Sequence, residues 1–197
     1  MAASVDIARW WGASGSITKS IITTINTRAN ALDQHTTADT TSPVQIPASG
    51  TGYSWWVNTR LTIQAGGNLP TTQIANLRWY PSSTSNNMGN GVSALIGQVT
   101  MTNNSNTGYV QATGSTGLGT QLLAANYAGL TPATPLDAWT YGVGPSPSPL
   151  TVGGSAVMAF TAPYDFGNMV VYQVTVPYSA LPGGTTQTTW VWKYDEN

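Results

Sequence analysis

Tyr53-Ser54-Trp55-Trp56-Val57-Asn58-Thr59-Arg60-Leu61-Thr62-Ile63-Gln64 is the stretch whose reading decides the fold. Trp55, Val57, Thr59, Leu61 and Ile63 alternate with Ser54, Trp56, Asn58, Arg60 and Thr62. That period of two is expected of a strand with one face on a core and the other toward solvent. Gly66-Gly67-Asn68-Leu69-Pro70 then turns the chain, and Thr72–Tyr80 continues the extended pattern until Pro81 stops it.

Similar segments lie on either side. Asn86-Asn87-Met88-Gly89-Asn90-Gly91 is a turn signal, because Asn and Gly tolerate positive φ. Val92–Met101 and Gly108–Ala112 read as the next strands, and Ser155–Ala162, Asn168–Pro177 and Thr185–Tyr194 as the last three. In the final one Trp190, Trp192 and Tyr194 share a face, as core packing between two sheets requires. Val5–Trp11 reads as an extended arm or edge strand, and Val44 with Ile46 as a short edge strand. Ser16–Leu32 is open between short helix and strand: Ile17, Ile21, Ile25 and Leu32 sit near helical spacing, while Thr18, Thr23, Thr24 and Thr27 favour extended chain. Gly114–Pro149 shows no period, and a connection of that length is usually functional or interfacial.

The composition agrees with this reading. Thirty threonines, 21 glycines and 12 prolines suit pleated strands joined by many turns. Strands without intervening helices predict an all-β, antiparallel β-sandwich of jelly-roll type with an extended N-terminal arm. No composition break marks a linker, so residues 1–40 are expected to be an arm and linker segment of the same unit, and residues 41–197 a single sandwich domain.

Charge is the scarce ingredient. Only 7% of the 197 residues are charged, six Lys and Arg against seven Asp and Glu. An ordinary domain carries about 25%. With no basic cluster the chain cannot neutralise a row of phosphates, so nucleic acid is not an expected partner. No Cys and a single histidine, His35, argue against zinc, iron–sulfur and thiol chemistry, and no cofactor or metal is expected. The start of the chain lacks the charged and apolar regions of a secretory signal, and no apolar run is long enough for a membrane span.

Catalytic chemistry finds little to stand on. Among seven carboxylates, Asp137 and Asp165 could form a glycosidase pair, but they read equally as solvated loop residues. His35, between Gln34 and Thr36, reads as an exposed loop histidine. Gly114-Ser115-Thr116-Gly117-Leu118-Gly119 lacks the spacing of a phosphate loop. Asn103-Asn104-Ser105 is a formal glycosylation sequon without a signal to bring it into use. The expectation is therefore a protein that is not an enzyme.

The aromatic pairs carry more information. Neighbours on a strand point to opposite faces, so at most one member of Trp10-Trp11 and one of Trp55-Trp56 can face the same core. Trp10, Trp11, Trp56, Trp139 and Tyr141 are accordingly the candidate interface residues, because tryptophan is enriched where interfaces are buried and charge is depleted.

The successive segments Pro43-Val44-Gln45-Ile46-Pro47-Ala48-Ser49-Gly50-Thr51-Gly52-Tyr53-Ser54-Trp55-Trp56, Gln73-Ile74-Ala75-Asn76-Leu77-Arg78-Trp79-Tyr80, Tyr109-Val110-Gln111-Ala112-Thr113-Gly114 and Thr188-Thr189-Trp190-Val191-Trp192-Lys193-Tyr194-Asp195-Glu196 together resemble small β-rich virion proteins of tailed bacteriophages. The resemblance runs from about residue 40 onward and includes no catalytic signature. It implies a structural protein made in a bacterial cytoplasm and located in the virion. A capsid decoration (cement) protein, often a homotrimer, would contact its own copies and the major capsid protein. The alternative is a receptor- or carbohydrate-binding module of a phage tail or fibre, with Trp56, Trp79 or Trp139 as stacking platforms.

Overall fold

The computed structural model describes residues 4–37, 42–64, 74–153 and 163–196. Twelve strands and one 3-10 turn make up its regular structure: β1 (Val5–Trp11), β2 (Thr18–Ile21), β3 (Thr51–Tyr53), β4 (Val57–Ile63), β5 (Ile74–Pro81), β6 (Ser93–Val99), β7 (Gly114–Ser115), β8 (Leu118–Gly119), β9 (Leu130–Asp137), the turn Ala138–Thr140, β10 (Leu150–Thr151), β11 (Tyr164–Pro177) and β12 (Trp190–Glu196). Every pairing among them is antiparallel. The all-β, antiparallel class expected from the sequence is the class observed.

Seven strands form the main sheet in the order β2-β1-β4-β11-β6-β9, with β3 also paired to β11, and three form a second sheet in the order β10-β5-β12. A jelly roll of eight strands divides them between two sheets; the described residues divide seven and three, with β7 and β8 as a separate hairpin. The two sheets share one core. Val57, Leu61 and Ile63 of β4 and Phe166, Val170, Tyr172 and Val174 of β11 meet Ile74, Leu77 and Trp79 of β5, and Trp190, Trp192 and Tyr194 pack against them from β12. The expected aromatic stripe on β12 thus faces this core.

The other face of the main sheet is also buried, which the alternation of β4 did not suggest. All seven residues of β4 are buried, including Asn58, Arg60 and Thr62. Ala8, Trp10, Val99, Met169 and Val171 project from that face into a second core, completed by Met101, Tyr109, Ala112, Leu122 and Tyr127. Those covering residues come from a segment that forms no ladder of its own with the main sheet. Gly108–Ala112, expected as a strand, belongs to this irregular cover.

A cover without ladders must satisfy its backbone groups elsewhere. Here polar side chains of the sheet do so. Arg60 donates from Nη1 to the Ser105 carbonyl at 2.7 Å and from Nη2 to that of Thr102 at 3.0 Å, while its Nε bonds the Gly167 carbonyl of β11 at 2.9 Å. Gln173 accepts from the Leu122 amide at 2.7 Å and donates to the carbonyls of Ser54 at 2.7 Å and Thr120 at 2.8 Å. Tyr127 donates to Asn58 Oδ1 at 2.9 Å, and Asn58 and Trp56 both donate to the Val110 carbonyl.

Several boundaries differ from the sequence reading. β1 is neither an arm nor an edge: it lies between β2 and β4, paired along both sides. Ser16–Leu32 contains the four-residue β2 followed by turns and no helix. The stretch Leu130–Asp137, which showed no period, forms edge strand β9; Pro132 and Pro135 are tolerated there because an outer strand has one unpaired side. The expected strand Ser155–Ala162 and the turn Gly66–Pro70 lie outside the described residues.

Candidate functional site

The five aromatic residues singled out for an interface do not form one surface. Trp10 and Trp56 are each 1% exposed and belong to the second core, which corrects their assignment to a partner-facing position. Trp55 and Trp56 do not straddle the sheet, because residues 54–56 interrupt the strand between β3 and β4, and both rings reach the second core. Trp11 is half-buried and donates its Nε1 hydrogen to Ser20 Oγ at 3.0 Å. Trp139 packs on Trp190 with ring centroids 6.0 Å apart, and Tyr141 meets Trp79 edge-on at 6.3 Å, so both belong to the margin of the first core. The stacking platforms Trp56 and Trp79 are likewise buried, each 1% exposed.

The carboxylates considered for catalysis are held apart. Asp137 lies opposite Leu95, and Leu95 opposite Gln173, eight residues along β11 from Asp165. At about 3.3 Å per residue this separates them by roughly 20 Å or more, whereas a glycosidase pair spans about 5 to 9.5 Å. Each is also engaged structurally. Asp137 accepts from Ser93 Oγ and from the Trp139 amide. Asp165 pairs with Lys19 and accepts from Thr62 Oγ1 at 2.8 Å. Lys19 in turn lies 4.4 Å from the Trp10 ring centroid, a cation–π position.

The glycine-rich run forms the hairpin β7–β8, laid directly on Ser54 and Trp55. A Cβ on Gly119 would fall 2.0 Å from the Ser54 carbonyl oxygen and one on Gly114 2.2 Å from Trp55 Nε1. These glycines serve close backbone packing. A cleft of about 490 Å³ borders this hairpin between Trp55, Pro43 and Leu32.

A larger cleft, of about 860 Å³, opens beside β12 over the first face of the main sheet. Tyr172 and Val174 of β11, Ile7 of β1 and Trp190 and Trp192 of β12 line it, with walls from residues 22–30 and 180–189. Both walls are tied down. On one side the buried Arg9 donates from Nη1 to Thr27 Oγ1 at 3.0 Å and to the Arg28 carbonyl at 2.8 Å, and the Ile7 amide donates to Thr23 Oγ1 at 2.8 Å. On the other, Thr188 Oγ1 donates to Asn87 Oδ1 at 2.9 Å and Asn90 Nδ2 to the Gly184 carbonyl at 2.8 Å. Gln187 Nε2 donates to Asn26 Oδ1 at 2.6 Å and joins the two walls.

Electrostatics behind the first wall follow from burial. Loss of water lowers the Arg9 pKa, and Tyr172 and Asp33 partly offset that. Burial, and then the charge of Arg9, lowers the pKa of His35, whose Nδ1 lies 3.2 Å from Thr27 Oγ1. His35 is thus half-buried against the wall, where the sequence suggested an exposed loop position. Burial also raises the pKa of Tyr172 on the cleft floor. The lining contains no Asp, Glu, Lys, His or Cys among the described residues, so it offers no metal ligands of the usual kinds and no acid–base pair. Its segments are remote in sequence, and each alone reads as a Thr- or Asn-rich turn; no local signal marks them as one site.

No known family model, curated protein or solved structure matches the chain.

Proposed function

We propose that the chain is a non-enzymatic structural protein of a tailed-phage particle, a capsid decoration protein that stabilises the head through contacts with its own copies and the shell. Two considerations support this reading. One is the resemblance of residues 43–56, 73–80, 109–114 and 188–196 to small β-rich virion proteins. The other, which carries it, is the character of residues 114–149: they contain a single charged residue, Asp137, and supply the outer strand β9 and the loop after it. Leu136 on that strand is 41% exposed and Val143 in the loop 71%. Arg9, Arg60 and Asp165 are buried, so at most ten of the thirteen charged side chains serve a surface of 9292 Å². An apolar, charge-poor edge of this kind supports a role in contacts with other proteins. Pro132 and Pro135 oppose the addition of a further strand to β9, so contacts there are made by side chains.

β1 is an internal strand, paired to β2 and to β4, and so has no free edge to offer a neighbour along its paired residues. The test is sedimentation of the purified chain together with its occupancy on phage heads. A trimer that binds heads and raises their heat resistance agrees with the reading. A monomer that neither associates nor binds heads refutes it.

A further inference from the structure

We propose that the cleft beside β12 is a binding site for a neutral saccharide. Its volume of about 860 Å³ falls within the range of about 300 to 1,000 Å³ typical of small-ligand sites. The chemistry of the lining selects the ligand class. Eight threonines, three asparagines and one glutamine line the cleft. Thr23, Thr27, Thr59, Thr188 and Asn90 are engaged within the protein, so Thr24, Thr185, Thr186 and Thr189 with the Asn26 and Gln187 carboxamides are the groups offered to a ligand. Arg28 is the only charged residue of the lining. Its Nε donates to the Thr37 carbonyl at 3.1 Å. An anion calls for several cationic donors and a cation for carboxylates, and the lining supplies neither set. A wholly apolar ligand would displace water from the remaining hydroxyls and from the Asn26 and Gln187 carboxamides without replacing its hydrogen bonds.

A sugar ring meets both halves of this lining. Its C–H face is apolar and packs on an aromatic ring; Trp192, half-buried on the cleft wall, provides such a ring. Its hydroxyls each donate and accept, as do threonine hydroxyls and carboxamides. Asn26 and Gln187 stand where the two walls meet, held at 2.6 Å by one amide–amide hydrogen bond. Each carboxamide has two N–H donors and a two-lone-pair acceptor, so that bond leaves both side chains able to bond a ligand hydroxyl as well. The ties to Asn87, Gly184 and Arg9 described above fix the walls before a ligand enters, and such preorganisation reduces the ordering cost of binding. Without a carboxylate in the lining the site retains a saccharide and does not hydrolyse it. This inference does not depend on the assembly role: a monomer with no place in a particle could still bind sugar here.

The test uses the full chain on a glycan array carrying neutral and acidic glycans, followed by calorimetric titration with the best-retained soluble neutral oligosaccharide. Retention of neutral glycans is expected, with quenching or enhancement of tryptophan fluorescence. Trp192→Ala and Gln187→Ala should each weaken binding about tenfold or more, and Trp192→Phe should restore part of it. Gln187 is exposed, so Gln187→Ala keeps the test valid even where Trp192→Ala disturbs folding. Three results overturn the proposal: no neutral glycan is retained, only acidic glycans are retained, or affinity is unchanged in Gln187→Ala and in folded Trp192 variants. Self-association that shields Trp192 from acrylamide and blocks glycan retention overturns it too, because a second copy is then the occupant.

Discussion

Arg60, in the middle of β4, donates from Nη1 to the backbone carbonyl of Ser105 at 2.7 Å. This bond and its companion to the Thr102 carbonyl fasten a segment without regular structure to the second face of the sheet. A third, from Nε to the Gly167 carbonyl, anchors the guanidinium on β11 where the register of that strand shifts. The guanidinium also lies 5.6 Å from the Trp10 ring centroid. Burial lowers its pKa to about 10, so it remains a cation at neutral pH, and its planar fork reaches three carbonyls at once.

Arg60→Met should therefore destabilise the protein by at least about 3 kcal/mol, since each carbonyl left buried without a donor costs about 1–3 kcal/mol. Arg60→Lys should recover only a minority of that loss, because one ammonium cannot reproduce the fork. Urea unfolding measures both, and limited proteolysis should show earlier cleavage within residues 100–113. A loss below about 1 kcal/mol in Arg60→Met would contradict the clamp.

Gln173 performs the same task from β11, tying Ser54, Thr120 and Leu122. Gln173→Leu preserves the apolar volume and removes all three bonds, so a loss of about 3 kcal/mol is expected. Gln173→Glu should do no better, since a carboxylate keeps the bond to the Leu122 amide but faces the other two carbonyls without a donor. Equal stability of wild type and Gln173→Leu in the same unfolding assay argues against the role.

Acid should loosen the wall built on Thr27. The pKa of His35 is lowered in the folded chain by burial and by Arg9, so protonation is harder in the folded than in the unfolded state. The stability tied to neutral His35 is fully present above the unfolded value of about 6.5 and is lost as pH falls through the lowered folded value. Melting temperature measured from pH 8 to pH 5 should drop more for wild type than for His35→Gln. Superimposable profiles would exclude a coupling through His35.

Leu136→Asp and Val143→Asp place charge on the exposed apolar edge. Both positions face solvent in the isolated chain, so melting temperature should change by little, within the effect of about 0.5 kcal/mol usual for surface changes. The sedimenting mass, or occupancy on heads, should fall. Unchanged association in the double variant locates the contact elsewhere.

The sequence by itself determined the class of fold. Alternation in residues 57–63, the threonine content and the turn signals left antiparallel sheet as the consistent reading, and the Trp190, Trp192 and Tyr194 stripe was legible as a core face because a strand's period of two assigns faces without knowledge of partners. The same alternation misread Asn58, Arg60 and Thr62 as a solvent face. A buried polar side chain and an exposed one look alike in sequence, and only the tertiary structure reveals that groups of residues 102–127 serve as solvent for Asn58 and Arg60, and Asp165 for Thr62. The position of β1 within the sheet and the cleft beside β12 were also beyond the sequence. Each depends on segments far apart in the chain, such as Asn26 and Gln187, whose meeting is decided by which strands pair. The scarcity of charge could be counted from the sequence, but that three of the charges lie inside the protein, leaving the surface barer still, was decided by tertiary packing, which covers Arg60 and Asp165 on one face of the main sheet and Arg9 on the other.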